Sequence, residues 1–215
     1  MWPTSIPRVD RAAVVLSLIV ALAGAGCRAP ARTEVAGHYN VPQAKAAPIA
    51  SGALNAISNG GFETGNIDDG WFQCGDEPSY ITREHPHSGL YDEYSGTRDG
   101  ASEPLGNSGI CQAITIPSGG ALRAQLYQLS NEANTTFAYQ EADLLDRRGN
   151  VVVNLYKSVN NKPRWVLGSW NLAAYAGKTY WLYFGVHGDG YAKLATQQFV
   201  DDVVLTGSAV PSGER

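Results

Sequence analysis

From about residue 54 onward, apolar and polar residues alternate in short runs, each closed by glycine, proline, asparagine or aspartate. That period of two predicts strands bounded by turns. The runs are Leu54 to Ser58, Ser79 to Thr82, Leu90 to Tyr94, Gly109 to Ile116, Ala121 to Leu129 and Phe137 to Leu145. Val151 to Lys157, Val166 to Asn171, Lys178 to Val186 and Gln197 to Thr206 follow. Pro117 ends one run, Gly119-Gly120 opens the next, and Asp146 to Asn150 reads as a hairpin turn. There is no internal repeat and no long helical period. Nine or ten short strands at this spacing predict an all-β fold, a two-sheet antiparallel β-sandwich. The run Tyr180 to Val186 is apolar on both faces. It suits a central strand with one face in the core and an aromatic face that lines a groove or lies under a loop.

The two ends of the chain read differently. Arg8 and Arg11 precede an apolar run from Ala12 to Ala23, and Gly24-Ala25-Gly26 lead to Cys27. This is an export signal, too short for a standard membrane span. It resembles a bacterial lipoprotein signal, which implies lipidation of Cys27 and an anchor in the cell envelope. Gly24 departs from the leucine that pattern prefers, and an ordinary signal peptide with secretion is the alternative. Residues 1–26 are thus read as the signal, 27–51 as an Ala/Pro-rich tether, 52–206 as the domain and 207–215 as a tail.

Composition narrows the function classes. At 44% hydrophobic residues, the 215-residue chain supports one real core. Losing Arg8, Arg11 and Asp10 with the signal leaves 14 basic and 19 acidic residues, net −5. That charge speaks against nucleic acid and against a polybasic membrane surface, so membrane contact is expected only through Cys27. With Cys27 lipidated, Cys74 and Cys111 remain. In an oxidising compartment they are expected to pair, closing a loop that stabilises by roughly 3–4 kcal/mol on the chain-entropy model; two buried thiols are the alternative. Zinc is not expected, because no further Cys or nearby His completes a ligand set.

Two motifs bracket the domain: Asn59-Gly60-Gly61-Phe62-Glu63-Thr64-Gly65 near its start and Phe199-Val200-Asp201-Asp202-Val203-Val204-Leu205 near its close. Strict alternation puts Asp201 on the face of Val203 and Leu205. A carboxylate there needs a cation or several donors. Glu63 is its expected companion.

Together with Gly70-Trp71, His87-Ser88-Gly89, Cys111-Gln112, Ile116-Pro117, Asp146 with Gly149-Asn150-Val151 and Tyr175-Ala176-Gly177-Lys178, these motifs resemble the galactose-binding-like jelly-roll modules. Within these the chain is most similar to carbohydrate-binding modules of family 4/9 type and to related domains of secreted bacterial proteases. The resemblance implies a jelly roll, ligands on a concave face or at the loops, and a structural calcium ion. Glu63 and Asp201 side chains with backbone around Gly61 and Ser88 would hold that ion. The alternative is that both carboxylates accept backbone hydrogen bonds.

Sugar sites pair aromatic platforms with planar polar groups. Tyr139, Glu141 and Asp143 share one strand face, Tyr127 stands on the preceding strand, and Trp181 and Tyr183 are two apart. Tyr127, Tyr139, Glu141, Trp181 and Tyr183 therefore form the expected groove, with Trp165 as a further exposed platform after the Asn160–Arg164 loop. Trp71 and Trp170 read as packed. His85 and His87 sit in a loop that reads as solvated. No nucleophile elbow, zinc-protease motif or phosphate loop occurs, and a glycosidase built on Glu141 and Asp143 is the weakest reading. The expectation is a non-catalytic, monomeric, exported module that binds glycan or cell-surface polysaccharide. The rival is a protein-adhesion module on the same fold.

Overall fold

A computed structural model describes residues 39–42, 55–97, 103, 105–191 and 195–208. The export signal, Cys27 and most of the expected tether lie outside the described residues. Ten strands run in chain order: β1 Phe72–Gln73, β2 Tyr80–Thr82, β3 Asp92–Gly96, β4 Leu105–Thr115, β5 Ser118–Ser130, β6 Tyr139–Leu145, β7 Val151–Ser158, β8 Lys162–Asn171, β9 Thr179–Asp189 and β10 Thr196–Ser208. They form two five-stranded sheets, β1-β4-β9-β6-β7 (the first sheet) and β2-β3-β10-β5-β8 (the second). Every strand pairing is antiparallel. The all-β sandwich expected from the alternation is what the chain forms. Among the described residues the one helical turn is Ala173–Tyr175.

The chain passes between sheets where its sequence forbids a continued ladder. β4 ends at Thr115, Pro117 has no N–H to donate, and β5 starts at Ser118 in the other sheet. The core fills the space between the two inner faces. Ile110, Ile114, Leu144, Leu182 and Phe184 come from the first sheet, and Leu122, Ala124, Leu126, Val200, Val203 and Leu205 from the second. Trp71 and Phe62 are fully buried beside them, 5.5 Å between ring centroids, and the Trp71 indole donates to the Asn59 carbonyl. Burying each such ring contributes roughly 1.5–3 kcal/mol. Trp71 is the core plug its sequence suggested. Trp170 is partly buried and stacks on Tyr156.

Three sequence expectations are corrected. Residues 55–58 are not a strand. Asn55 Oδ1 accepts from Ile57 N and Leu205 N, and Gln112 grips Ser58 N and carbonyl, so side chains replace a ladder. Asp201 does not share the face of Val203 and Leu205. A bulge between Asp201 and Val204, with Asp202 at φ +49°, inserts a residue and turns Asp201 outward while Val203 returns to the core. Finally, Tyr39 and Val41, placed in the tether by composition, are buried against the first sheet.

Candidate functional site

The outer face of the first sheet is built by register. On β9, Trp181, Tyr183, Gly185 and His187 stand opposite Leu145, Asp143, Glu141 and Tyr139 of β6. Across the other edge of β9 they meet Ala113, Cys111, Gly109 and Asn107 of β4. Four of the expected groove residues, Tyr139, Glu141, Trp181 and Tyr183, therefore do share one surface.

That surface has two halves. In the apolar half, Cys74 and Cys111 form a disulfide with 5.7 Å between their Cα atoms, as expected, and Phe72 packs edge-on against Trp181 at 5.9 Å. In the polar half, Tyr139 stacks on His187 at 4.9 Å, and the Lys157 ammonium sits 3.5 Å from the Tyr139 ring centroid. Gly109 and Gly185 lie beneath Tyr183, where a Cβ would come within 2.5 Å of its ring and 2.2 Å of its hydroxyl, respectively.

Tyr39 lies over this polar half. Its ring meets Tyr183 edge-on at 4.6 Å, and its hydroxyl donates to Glu141 Oε1 at 2.7 Å and Asp143 Oδ2 at 3.0 Å. Asn154 donates to the other Asp143 oxygen at 2.7 Å. Asn40 donates to Asp76, and Gly149 passes so close that a Cβ there would lie 2.2 Å from the Tyr39 carbonyl oxygen. Tyr139, Glu141, Trp181 and Tyr183 are buried rather than exposed, at 8%, 3%, 5% and 0%.

Two carboxylates held this deep are costly. Burial, and then the neighbouring Asp143 charge, raise Glu141 to about 8. Burial raises Asp143 to about 6 against the bonds from Asn154 and Tyr39. Burial also pushes the Tyr39 phenol upward, so it stays a donor.

The other two expected ligand residues are elsewhere. Tyr127 and Trp165 are half-buried on the outer face of the second sheet, 5.8 Å apart. His85 stacks on Tyr127 at 4.5 Å and meets Phe199 edge-on, and His87 meets Trp165. His85 is thus half-buried on aromatics, while His87, Ser88 and Gly89 are exposed, as expected of a solvated loop. Beside it runs a cleft of about 540 Å³ lined by His85, Tyr94, Phe199, Gln197, Asn131 and Asn161.

At the bookends, the loop carrying His87 and Ser88 folds onto Asp201. Asp201 Oδ2 accepts from His87 N and Ser88 N, and its Oδ1 from Asp202 N. Glu63 accepts from Leu90 N and Tyr91 N. Asp202 takes the Ser88 hydroxyl and faces His87 Nδ1 at 2.6 Å. Gly61 stands between, where a Cβ would be 3.7 Å from Asp201 and Asp202 oxygens. Five backbone N–H groups thus donate to the Glu63 and Asp201 carboxylates.

No family model matches the chain, and no curated protein matches its sequence. Solved structures do match in shape. A family 61 carbohydrate-binding module in complex with β-1,4-galactotriose aligns at 18% identity with a TM-score of 0.50, over 71% of this chain and 98% of the module. By fold, the chain is a two-sheet jelly roll like that module. The xylan-binding family 22 module from Paenibacillus barcinonensis aligns at 15% identity and TM-score 0.43, covering 76% of this chain and 99% of that one. The cleaved adhesin domain of Lys-gingipain from Porphyromonas gingivalis aligns at 13% and 0.48, covering 73% and 99%.

Sequence reasoning passed over Tyr39, Asn154, Lys157 and His187. Tyr39 left a trace: in an Ala/Pro-rich stretch, His38-Tyr39-Asn40-Val41 alternates like an edge strand.

Proposed function

We propose that this chain is a non-catalytic glycan-binding module whose ligand seats on the polar half of the first sheet's outer face. Tyr139, Glu141, Asp143 and Tyr183 would contact it there. One observation carries the reading: that surface already holds a six-membered ring bearing a hydroxyl. The Tyr39 phenol donates to both acids while its ring leans on Tyr183. A pyranose presents the same chemistry, hydroxyl donors around an apolar ring face. Two acids on one strand sharing one hydroxyl are arranged to hold it, whereas a glycosidase needs acids flanking the scissile bond.

The galactotriose complex of the family 61 module makes β-1,4-galactan the first probe. Affinity electrophoresis in soluble galactan and other β-glycans should retard the protein, and Glu141→Gln should abolish the retardation. Mobility that no glycan changes would overturn the proposal.

The disulfide suits an oxidising compartment, which supports export under the signal of residues 1–26. Lipidation at Cys27 would then tether a monomeric module to the envelope, with no other membrane contact. A second reading has its own observation. Tyr127 and Trp165, half-buried against His85 and His87 beside the open cleft of the second sheet, suit docking of a protein partner. Binding lost with Tyr127→Ala and kept with Glu141→Gln would favour it.

A further inference from the structure

Three acidic side chains from three chain segments converge at one end of the sandwich. Glu103 precedes β4, Glu132 follows β5, and Asp189 closes β9. One ligand oxygen from each lies within 4.8 Å of the others. Glu103 is 3% exposed and Asp189 8%, and Glu132 is half-buried. Among the described residues neither oxygen of Glu103 meets a partner at good hydrogen-bond geometry, though both are sealed from solvent, and the neighbours that interact with it are Asp189 and Thr196. A buried carboxylate facing two more carboxylates is among the most costly arrangements a fold can hold, and buried charges are ordinarily paired or ligate a metal.

We infer that Glu103, Glu132 and Asp189 form a binding site for a hard divalent cation, calcium in the first place. Calcium–oxygen distances of about 2.3–2.6 Å keep two oxygens on one ion within roughly 5 Å of each other, which the 4.8 Å cluster satisfies. The donors are all oxygen, with no histidine or cysteine in the group, which favours calcium over zinc. Calcium accepts irregular sets of six to eight oxygens, whereas magnesium demands a near-ideal octahedron. The ion would tie both sheets together, because β9 belongs to the first sheet and β5 to the second. It would also brace both candidate ligand surfaces. Asp189 lies two residues beyond His187, and Ser130 and Asn131, just before Glu132, line the cleft of the second sheet. The site shares no residue with the Glu63–Asp201 bookends and does not depend on the glycan proposal.

Calcium titration by calorimetry, with melting curves in calcium and in EDTA, tests the site on the full chain. The parent should take up calcium and melt higher in its presence. Glu103→Gln should weaken uptake by about tenfold or more and erase the calcium-dependent rise, while Glu63→Gln leaves both as in the parent. Glu103→Gln in EDTA should melt cooperatively, no lower than the parent, because it removes a buried charge. Asp189→Asn gives a second route if Glu103→Gln fails to fold. No calcium uptake by the parent, or equal uptake by parent and Glu103→Gln, overturns the inference.

Discussion

Replacing Tyr39 with alanine should tighten glycan binding. Tyr39–Pro42 crosses the proposed ligand surface, and its hold can be estimated from its contacts. Burying the Tyr39 ring contributes about 1.5–3 kcal/mol. Its hydroxyl bond to the Glu141–Asp143 pair contributes about 1.5–3 kcal/mol more. Ordering four residues costs roughly 1–2 kcal/mol each. These terms nearly cancel, which places docked and released states within about 2 kcal/mol of one another. A ligand that must displace the segment then loses up to about 30-fold in apparent affinity. Tyr39→Ala should recover that factor in calorimetric titrations with β-1,4-galactotriose, or with whichever glycan retards the parent. Its melting temperature should fall by no more than about 8 °C, since the segment lies outside the sandwich. Equal affinity for parent and variant would refute the reasoning, because Tyr39 would then not stand in the ligand's place.

Further consequences can be checked on the same protein. The raised values of Glu141 and Asp143 mean that the fold favours their neutral forms, so their contribution is intact below the unfolded values of 4.5 and 3.8 and is lost as pH rises toward about 8 and 6. Melting temperature should therefore fall between pH 5 and 8.5, and Glu141→Gln should lessen that fall; an identical slope in both proteins would contradict the assignment. Gly149 has φ +82° and would drive a Cβ into the Tyr39 carbonyl, so Gly149→Ala should release the segment and mimic Tyr39→Ala in glycan titrations. Unchanged affinity there would argue against the contact. Reducing Cys74–Cys111 should destabilise by roughly 3–4 kcal/mol, read as a shifted urea midpoint, and a midpoint shift near zero would show that the bond constrains little. Glu63→Gln and Asp201→Asn should destabilise equally with and without EDTA if both accept backbone bonds, whereas a calcium ion held there would make the loss chelator-dependent.

Much of the architecture was legible because the alternation of a two-sided sheet leaves a period of two. The β6 pattern placed Tyr139, Glu141 and Asp143 on one face, and the register of β9 confirmed that Trp181 and Tyr183 join them. Asp201 was misplaced because a bulge changes the count of residues without changing their types, and only the positive φ of Asp202 reveals it. Tyr127 was grouped with Tyr139 because they lie on successive strands, yet β5 and β6 belong to different sheets. The chain changes sheet between Ser130 and Tyr139, a step that leaves no periodic signature. The covering of the groove was the least legible feature. Composition marks residues 27–51 as a linker, and one tyrosine in such a stretch carries its information in a hydrogen bond made 102 residues away.

The most direct test of the account is the glycan affinity of Tyr39→Ala measured with and without Glu141→Gln or Tyr139→Ala, with Tyr127→Ala as the control on the opposite sheet. The account predicts tight binding by Tyr39→Ala, retained with Tyr127→Ala and lost by tenfold or more, about 1.4 kcal/mol, with either change on the first sheet. Binding that survives both Glu141→Gln and Tyr139→Ala would contradict it.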